Sequence, residues 1–113
     1  MQIPGADRAS VDSFKVRNYL LAPDHPIGRH KARFFASLGY DRTNWAEFAA
    51  ELYKCAQQDN AEIHDASGYA TKYSIASPMT GPSGRSAVIL SIWIVRYDET
   101  FPRLVTAYKG EIR

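Results

Sequence analysis

The chain has 113 residues, a formal net charge of +2, 45% hydrophobic residues and one cysteine. That length predicts a single domain, 1–113, since domains run roughly 50–250 residues, and 23% charged residues with 12% aromatic ones exclude a disordered chain. Cys55 has no partner for an internal disulfide, so a reducing, cytoplasmic location is expected. No apolar run approaches the roughly 18–20 residues of a membrane helix, and Met1–Gly5 lacks a signal-peptide pattern, so no membrane partner is expected.

In chain order, Ala9–Val11 reads as a short strand, and Phe14–Leu21 as a short helix N-capped by Ser13 and stopped by Pro23. Ala22–Gly28 (A-P-D-H-P-I-G) is a turn-rich loop. Arg29–Leu38 is a helix with Phe34, Phe35 and Leu38 as its apolar stripe and Gly39 at its end. Lys31 falls on that stripe, three and four residues before Phe34 and Phe35, where a lysine is unusual. A snorkelling amine whose stem covers the core edge would account for it.

Asn44–Glu47 reads as a capping box opening a second full helix, with Trp45, Phe48, Ala49, Leu52 and Ala56 in period to about Gln57. Cys55 near its end is expected to be a core thiol. Gln58–Gly68 reads as polar loop and Tyr69–Ala76 as an alternating strand. Pro78–Gly84 reads as a hairpin loop, and Ala87–Tyr97, apolar on both faces, as a central strand. Arg103–Lys109 is the last strand, with Leu104, Thr106 and Tyr108 expected on one face. The predicted fold is α+β, with N-terminal helices packed on a C-terminal antiparallel β-meander.

Charge is distributed unevenly. His25–Arg42 holds four Arg or Lys against Asp41, Thr43–Asp65 is acidic, and Ala66–Lys109 is basic again. A basic face of this kind points toward an anionic partner such as RNA or a phosphate. His25, His30, His64 and Cys55 have no metal-ligand spacing, so neither metal nor cofactor is expected. G-P-S-G at Gly81–Gly84 links two strands and lacks the strand–loop–helix context of a phosphate loop, and no G-x-S-x-G exists. What remains is a set of Lys, Arg, His, Thr and Tyr. Metal-independent ribonucleases use those types: a base for the ribose 2′-hydroxyl, cations for the phosphorane, and an acid for the leaving 5′-oxygen. His25 is the acid/base candidate. Thr106 and Tyr108 offer hydroxyls to a phosphate, unless they simply hydrogen-bond within the sheet. Arg85 and Arg103, at strand entrances, could hold phosphate oxygens.

The segments Y-L-L-A-P-D-H-P-I-G-R-H-K-A-R-F-F-A-S-L-G-Y (Tyr19–Tyr40), N-W (Asn44–Trp45), G-P-S-G-R (Gly81–Arg85) and P-R-L-V-T-A-Y (Pro102–Tyr108) resemble a small bacterial domain family of unknown function, found alone and as a C-terminal module of toxin-like proteins. Lys109 stands where that family's ending commonly has a proline. Helices followed by a meander ending in T-A-Y are also similar to the barnase/EndoU/colicin/RelE-like ribonuclease toxins, a fold-level analogy. The resemblance implies a toxin-like, metal-independent endoribonuclease with His25, Lys31, Arg85, Thr106 and Tyr108 as catalytic residues. Gly28, Arg33, Lys72 and Arg103 are expected to bind substrate. RNA and a small cognate antitoxin or immunity protein are the expected partners. The alternative is a non-catalytic binding module whose basic cleft holds a protein or an anionic ligand. The ribonuclease reading requires His25, Lys31, Arg85 and Tyr108 to converge on one phosphate-sized volume.

Overall fold

Most of the chain's β-branched residues lie in its second half. In a computed structural model that describes residues 1–110, they form one antiparallel sheet in the order β1–β2–β3–β4: Glu62–Ala66, Ala70–Thr80, Ser86–Arg96 and Arg103–Lys109. Helices precede it: α1 (Ser13–Lys15), running straight into a π-helical turn (Val16–Leu20), then α2 (Arg29–Ser37) and α3 (Trp45–Ala56). The α+β architecture expected from the sequence is thus observed. Among the described residues, no helix is long and apolar enough to cross a membrane.

Several local expectations are corrected. Ala9–Val11 is no strand of the sheet; Ser10 alone bridges Arg103 in parallel. Asp12, not Ser13, caps α1, its carboxylate accepting from the Phe14 amide at 2.8 Å. The capping box lies one turn earlier than expected. Asp41 accepts from Thr43 and Asn44 answers back on the 3₁₀ turn Arg42–Asn44 before α3. The polar stretch Gln58–Gly68 contains β1, whose five residues are all exposed; a strand without a buried face shows no hydrophobic alternation. Pro78 lies inside β2 opposite Val88. Pairing with β1 ends at Ser74, so beyond it β2 is an edge strand, where proline is tolerated.

The two sheet faces are unlike. Tyr73, Ile75, Ser77 and Met79 of β2 pair with Trp93, Ser91, Ile89 and Ala87 of β3 on the face that meets the helices. Trp93, fully buried, donates its indole N–H to Ser91 Oγ at 2.9 Å. Phe35 and Phe48 stack above, with ring centres 4.6 Å apart. The opposite face carries cross-strand rows: Lys72–Ile94–Arg103, Ser74–Ile92–Thr106 and Ala76–Leu90–Tyr108. A bulge in β4 opposite Ile92/Trp93 inserts Val105. Leu104 is therefore turned to the core beside Trp93 while Thr106 and Tyr108 face the other way, which corrects the expected Leu104–Thr106–Tyr108 face.

The G-P-S-G loop caps α2. Ser83 donates its backbone N–H to the Leu38 carbonyl at 3.0 Å and its hydroxyl to the Ser37 carbonyl at 3.1 Å. Those carbonyls have no intrahelical partner, so the loop satisfies them. Gly81 passes so near that a Cβ there would overlap the Leu38 carbonyl oxygen. Gly81→Ala should destabilise the protein by about 1–3 kcal/mol, the usual range for overpacking, read as a lowered melting temperature. Gly68→Ala, with open space around it, should change little. Equal melting temperatures for the two variants would refute the role of this contact.

Candidate functional site

The π-turn closes on a Leu21 N–H to Val16 C=O bond of 2.9 Å, wider than an α-turn, and Tyr19 lies within it. The loop that follows doubles back onto Tyr19. Gly28 is buried against it, and a Cβ at that position would overlap the Tyr19 carbonyl oxygen. His25 sets its ring edge-on to the phenol ring, centres 5.1 Å apart at 78°. α2 starts immediately after Gly28, which brings Lys31 in its first turn over the same ring, Nζ 5.2 Å from the centre. The bulged β4 supplies Thr106, whose Oγ1 is buried without a hydrogen bond of ordinary geometry. Lys15 closes the other side, donating to the Val105 carbonyl at 2.9 Å.

Tyr19 is the hub of this cluster. The Lys31 ammonium beside its hydroxyl lowers the phenol's pKa; burial opposes that, and Thr106 and the charge of Lys15 add to the lowering. His25 Nδ1 accepts two backbone N–H groups, from Ile27 at 3.0 Å and Gly28 at 2.9 Å. A ring nitrogen that accepts is unprotonated, so in this arrangement the imidazole proton resides on Nε2 and His25 presents a donor. The site combines a phenol whose pKa is lowered, an ammonium, an imidazole donor and a buried hydroxyl.

The other expected site residues lie elsewhere. Arg85, whose amide hydrogen-bonds Ser83 Oγ, is held at the far end of α2 from Lys31. It lines an open cleft of about 800 Å³ with Phe34, Ser37, Val88 and Lys109. Tyr108 lies on the open sheet face beside Leu90, in a concavity with Glu62 and Ser74. Arg85 and Tyr108 line different hollows, so the four-residue site on which the expected ribonuclease mechanism depended is not formed, and any such chemistry has to rest on Tyr19 and Thr106 beside His25 and Lys31 instead. Arg85 and Arg103 are also far apart. β3 and β4 are antiparallel, so the two entrances lie at opposite ends of the sheet. Arg103 is held by Glu99, its Nε 3.0 Å from the carboxylate, and this pairing lowers the Glu99 pKa and raises that of Arg103. Arg33, two residues from Lys31 and so on the other side of α2, lines a separate groove with Arg29, Ala36 and Arg42. Lys72 sits across Ile94 from Arg103.

Tyr19 was missed in the sequence because it reads as one more apolar helix position. The available signal was that Tyr19 opens the segment containing the unusual Lys31. Cys55 is buried in the core and burial pushes its thiol up to about 11, so it is inert, as expected. Among the described residues, no three His, Cys, Asp or Glu side chains gather to hold a metal ion.

The family whose model matches the chain, over residues 2–111, is described as a domain of unknown function (DUF6883). No curated protein matches it. Among solved structures, the chain is similar to one chain of a contact-dependent growth inhibition toxin–immunity protein complex from Klebsiella pneumoniae 342. That similarity has a TM-score of 0.71 at 22% identity and covers 95% of this chain and 97% of that one, and it shows a shared fold.

The phenol should titrate below the ordinary tyrosine value near 10. Lys31→Met should move that titration back upward, since the group favouring phenolate is gone. Ultraviolet phenolate absorbance, with Tyr19→Phe to assign the signal, measures this; a titration unmoved by Lys31→Met would contradict the geometry.

Proposed function

The chain belongs to the DUF6883 family of domains of unknown function, and from its site we propose that it is a toxin-like, metal-independent endoribonuclease that cleaves RNA by 2′-hydroxyl attack. The observation that carries this reading is the gathering of Lys31, His25 and Thr106 around the phenol of Tyr19. The similar solved structure supports the toxin-like part, since it is a complex of a toxin with its immunity protein and the fold is shared. The same likeness supports a small inhibitory protein as a partner of this chain.

In the proposed reaction, Tyr19 as phenolate takes the proton of the 2′-hydroxyl, and the freed oxygen attacks phosphorus. The bond from phosphorus to the 5′-oxygen then breaks. Lys31, close enough to stabilise phenolate, neutralises the phosphorane and gives the departing 5′-oxygen its proton. His25, through Nε2–H, holds a non-bridging phosphate oxygen, while the buried Thr106 hydroxyl stays with the Tyr19 phenol. The products are a 2′,3′-cyclic phosphate end and a 5′-hydroxyl end, and proton exchange with water resets the two side chains. His25 here orients and stabilises, because its Nδ1 is engaged by two amides.

Lys31→Ala should slow cleavage of single-stranded RNA by roughly 10²–10³-fold, the scale of removing one preorganised stabilising group. Tyr19→Phe should slow it by roughly 10²–10⁴-fold, the scale of losing the proton-transfer group. A chelator should leave the wild-type rate unchanged. Gel-resolved cleavage rates with equal amounts of folded protein measure all three. Wild-type rates in both variants would refute the assignment of catalysis to the Tyr19 cluster, and no cleavage by the wild type would favour the non-catalytic binding module.

A further inference from the structure

Lys31, Phe34 and Leu38 follow one another at helical spacing, so they share one stripe along α2 and its C-terminal cap. The stripe begins at the Tyr19 ring, and its far end borders the cleft of about 800 Å³ that Phe34, Arg85 and Lys109 line together. β4 runs beside it. Thr106 stands with Tyr19 at one end, and Lys109 stands with Phe34 and Ser37 at the other. Lys31 to Ser37 is about 9 Å along the helix, and Thr106 to Lys109 is about 10 Å along the strand. α2 and β4 therefore flank one groove that leads from the cluster into the cleft. Lys109 pairs with buried Ile89, on the helix side of the sheet, and Arg85 enters β3 two residues before Ala87 of that same face. Among the described residues, neither cationic side chain makes a hydrogen bond or ion pair, and no Asp or Glu lines the cleft. Phe34 is half-buried and packs on Phe35, ring centres 5.2 Å apart, which holds its ring in the cleft wall. Cations without counter-charges beside a held aromatic ring suit a nucleotide, with phosphate on the cations and base on the ring.

We infer that this cleft is the subsite for the nucleotide on the leaving side of the cleaved bond, with its base against Phe34 and its 3′-phosphate at Arg85 and Lys109. The inference rests on the ribonuclease reading and gives its substrate a direction. Lys31 protonates the departing 5′-oxygen, and the stripe that starts at Lys31 ends in the cleft, so the strand passes from Tyr19 over Lys31 toward Arg85. Arg85 thus acts at the phosphate next to the reacting one, which is why it stands at the far end of α2 from Lys31. Arg29 and Arg33 lie in the separate groove across α2, off this path.

The test is fluorescence anisotropy with a labelled single-stranded 2′-O-methyl oligonucleotide, which lacks the attacking hydroxyl and reports binding without cleavage. Arg85→Ala should reduce the slope of log affinity against log salt by about 0.7, the contribution of one cation to single-strand binding, and Lys109→Ala should do the same. Arg33→Ala, which removes an equal charge from the groove across α2, should leave the slope unchanged. Phe34→Leu, which keeps an apolar side chain in the wall, should weaken binding roughly fivefold to a hundredfold, the scale of one lost stack. Phe34→Tyr keeps the ring and should stay near wild type. An unchanged slope in Arg85→Ala, an equal drop in Arg33→Ala, or full affinity in Phe34→Leu overturns the inference. Failure of the ribonuclease reading would show separately, as intact unmodified RNA with the wild type.

Discussion

The contact of Gly28 with the backbone of Tyr19 is the constraint on which the site depends. No side chain fits there, so only glycine lets the loop after the π-turn fold flat against it. That closeness fixes where α2 begins. It also brings His25 and Lys31, three residues before and three after Gly28, onto the two sides of one phenol. The prolines at 23 and 26 restrict the loop, and His25 Nδ1 ties its turn by accepting the Ile27 and Gly28 amides. Binding geometry at this site is thus built from backbone closeness first and side-chain chemistry second.

The sheet contributes by an irregularity rather than by its regular pairing. Without the bulge at Val105, residues 104, 106 and 108 would share one face, and Leu104 could not reach the core while Thr106 faces away from it. The bulge also leaves the Val105 carbonyl on the outer edge of β4, where Lys15 takes it. One extra residue therefore both seals the core and presents a hydroxyl and a lysine to the Tyr19 cluster. The loop at Gly81–Arg85 has a different purpose: it closes the C-terminus of α2, and Arg85 is carried to the far cleft as a consequence.

Much of this was legible in the residues. The α2 boundaries, the period of α3, the central character of β3 and the limits of β4 follow from apolar spacing and from glycine and proline placement. The exposed strand β1 was not legible, because a strand with no buried side leaves no alternation to read. Pro78 was read as loop because the reach of β1, which decides whether β2 has a free edge there, is a tertiary fact. At the site, the oddity of Lys31 on an apolar stripe was visible, and the structure explains it by the Tyr19 ring beneath it. Tyr19 itself was hidden, since an apolar ring at helical spacing says nothing about its hydroxyl. Arg33 was grouped with Lys31 although two residues along a helix turn a side chain to the opposite side.

The central claim is that the Tyr19 cluster drives attack by the 2′-hydroxyl, and the ends of the cleaved strand test it most directly. Mass spectrometry of RNA fragments produced by the wild-type protein should find 2′,3′-cyclic phosphate and 5′-hydroxyl ends, with no fragments from a strand whose 2′-hydroxyl is replaced by hydrogen at the cleaved position. Fragments ending in 3′-hydroxyl and 5′-phosphate groups, or cleavage of the 2′-deoxy strand, would contradict the account.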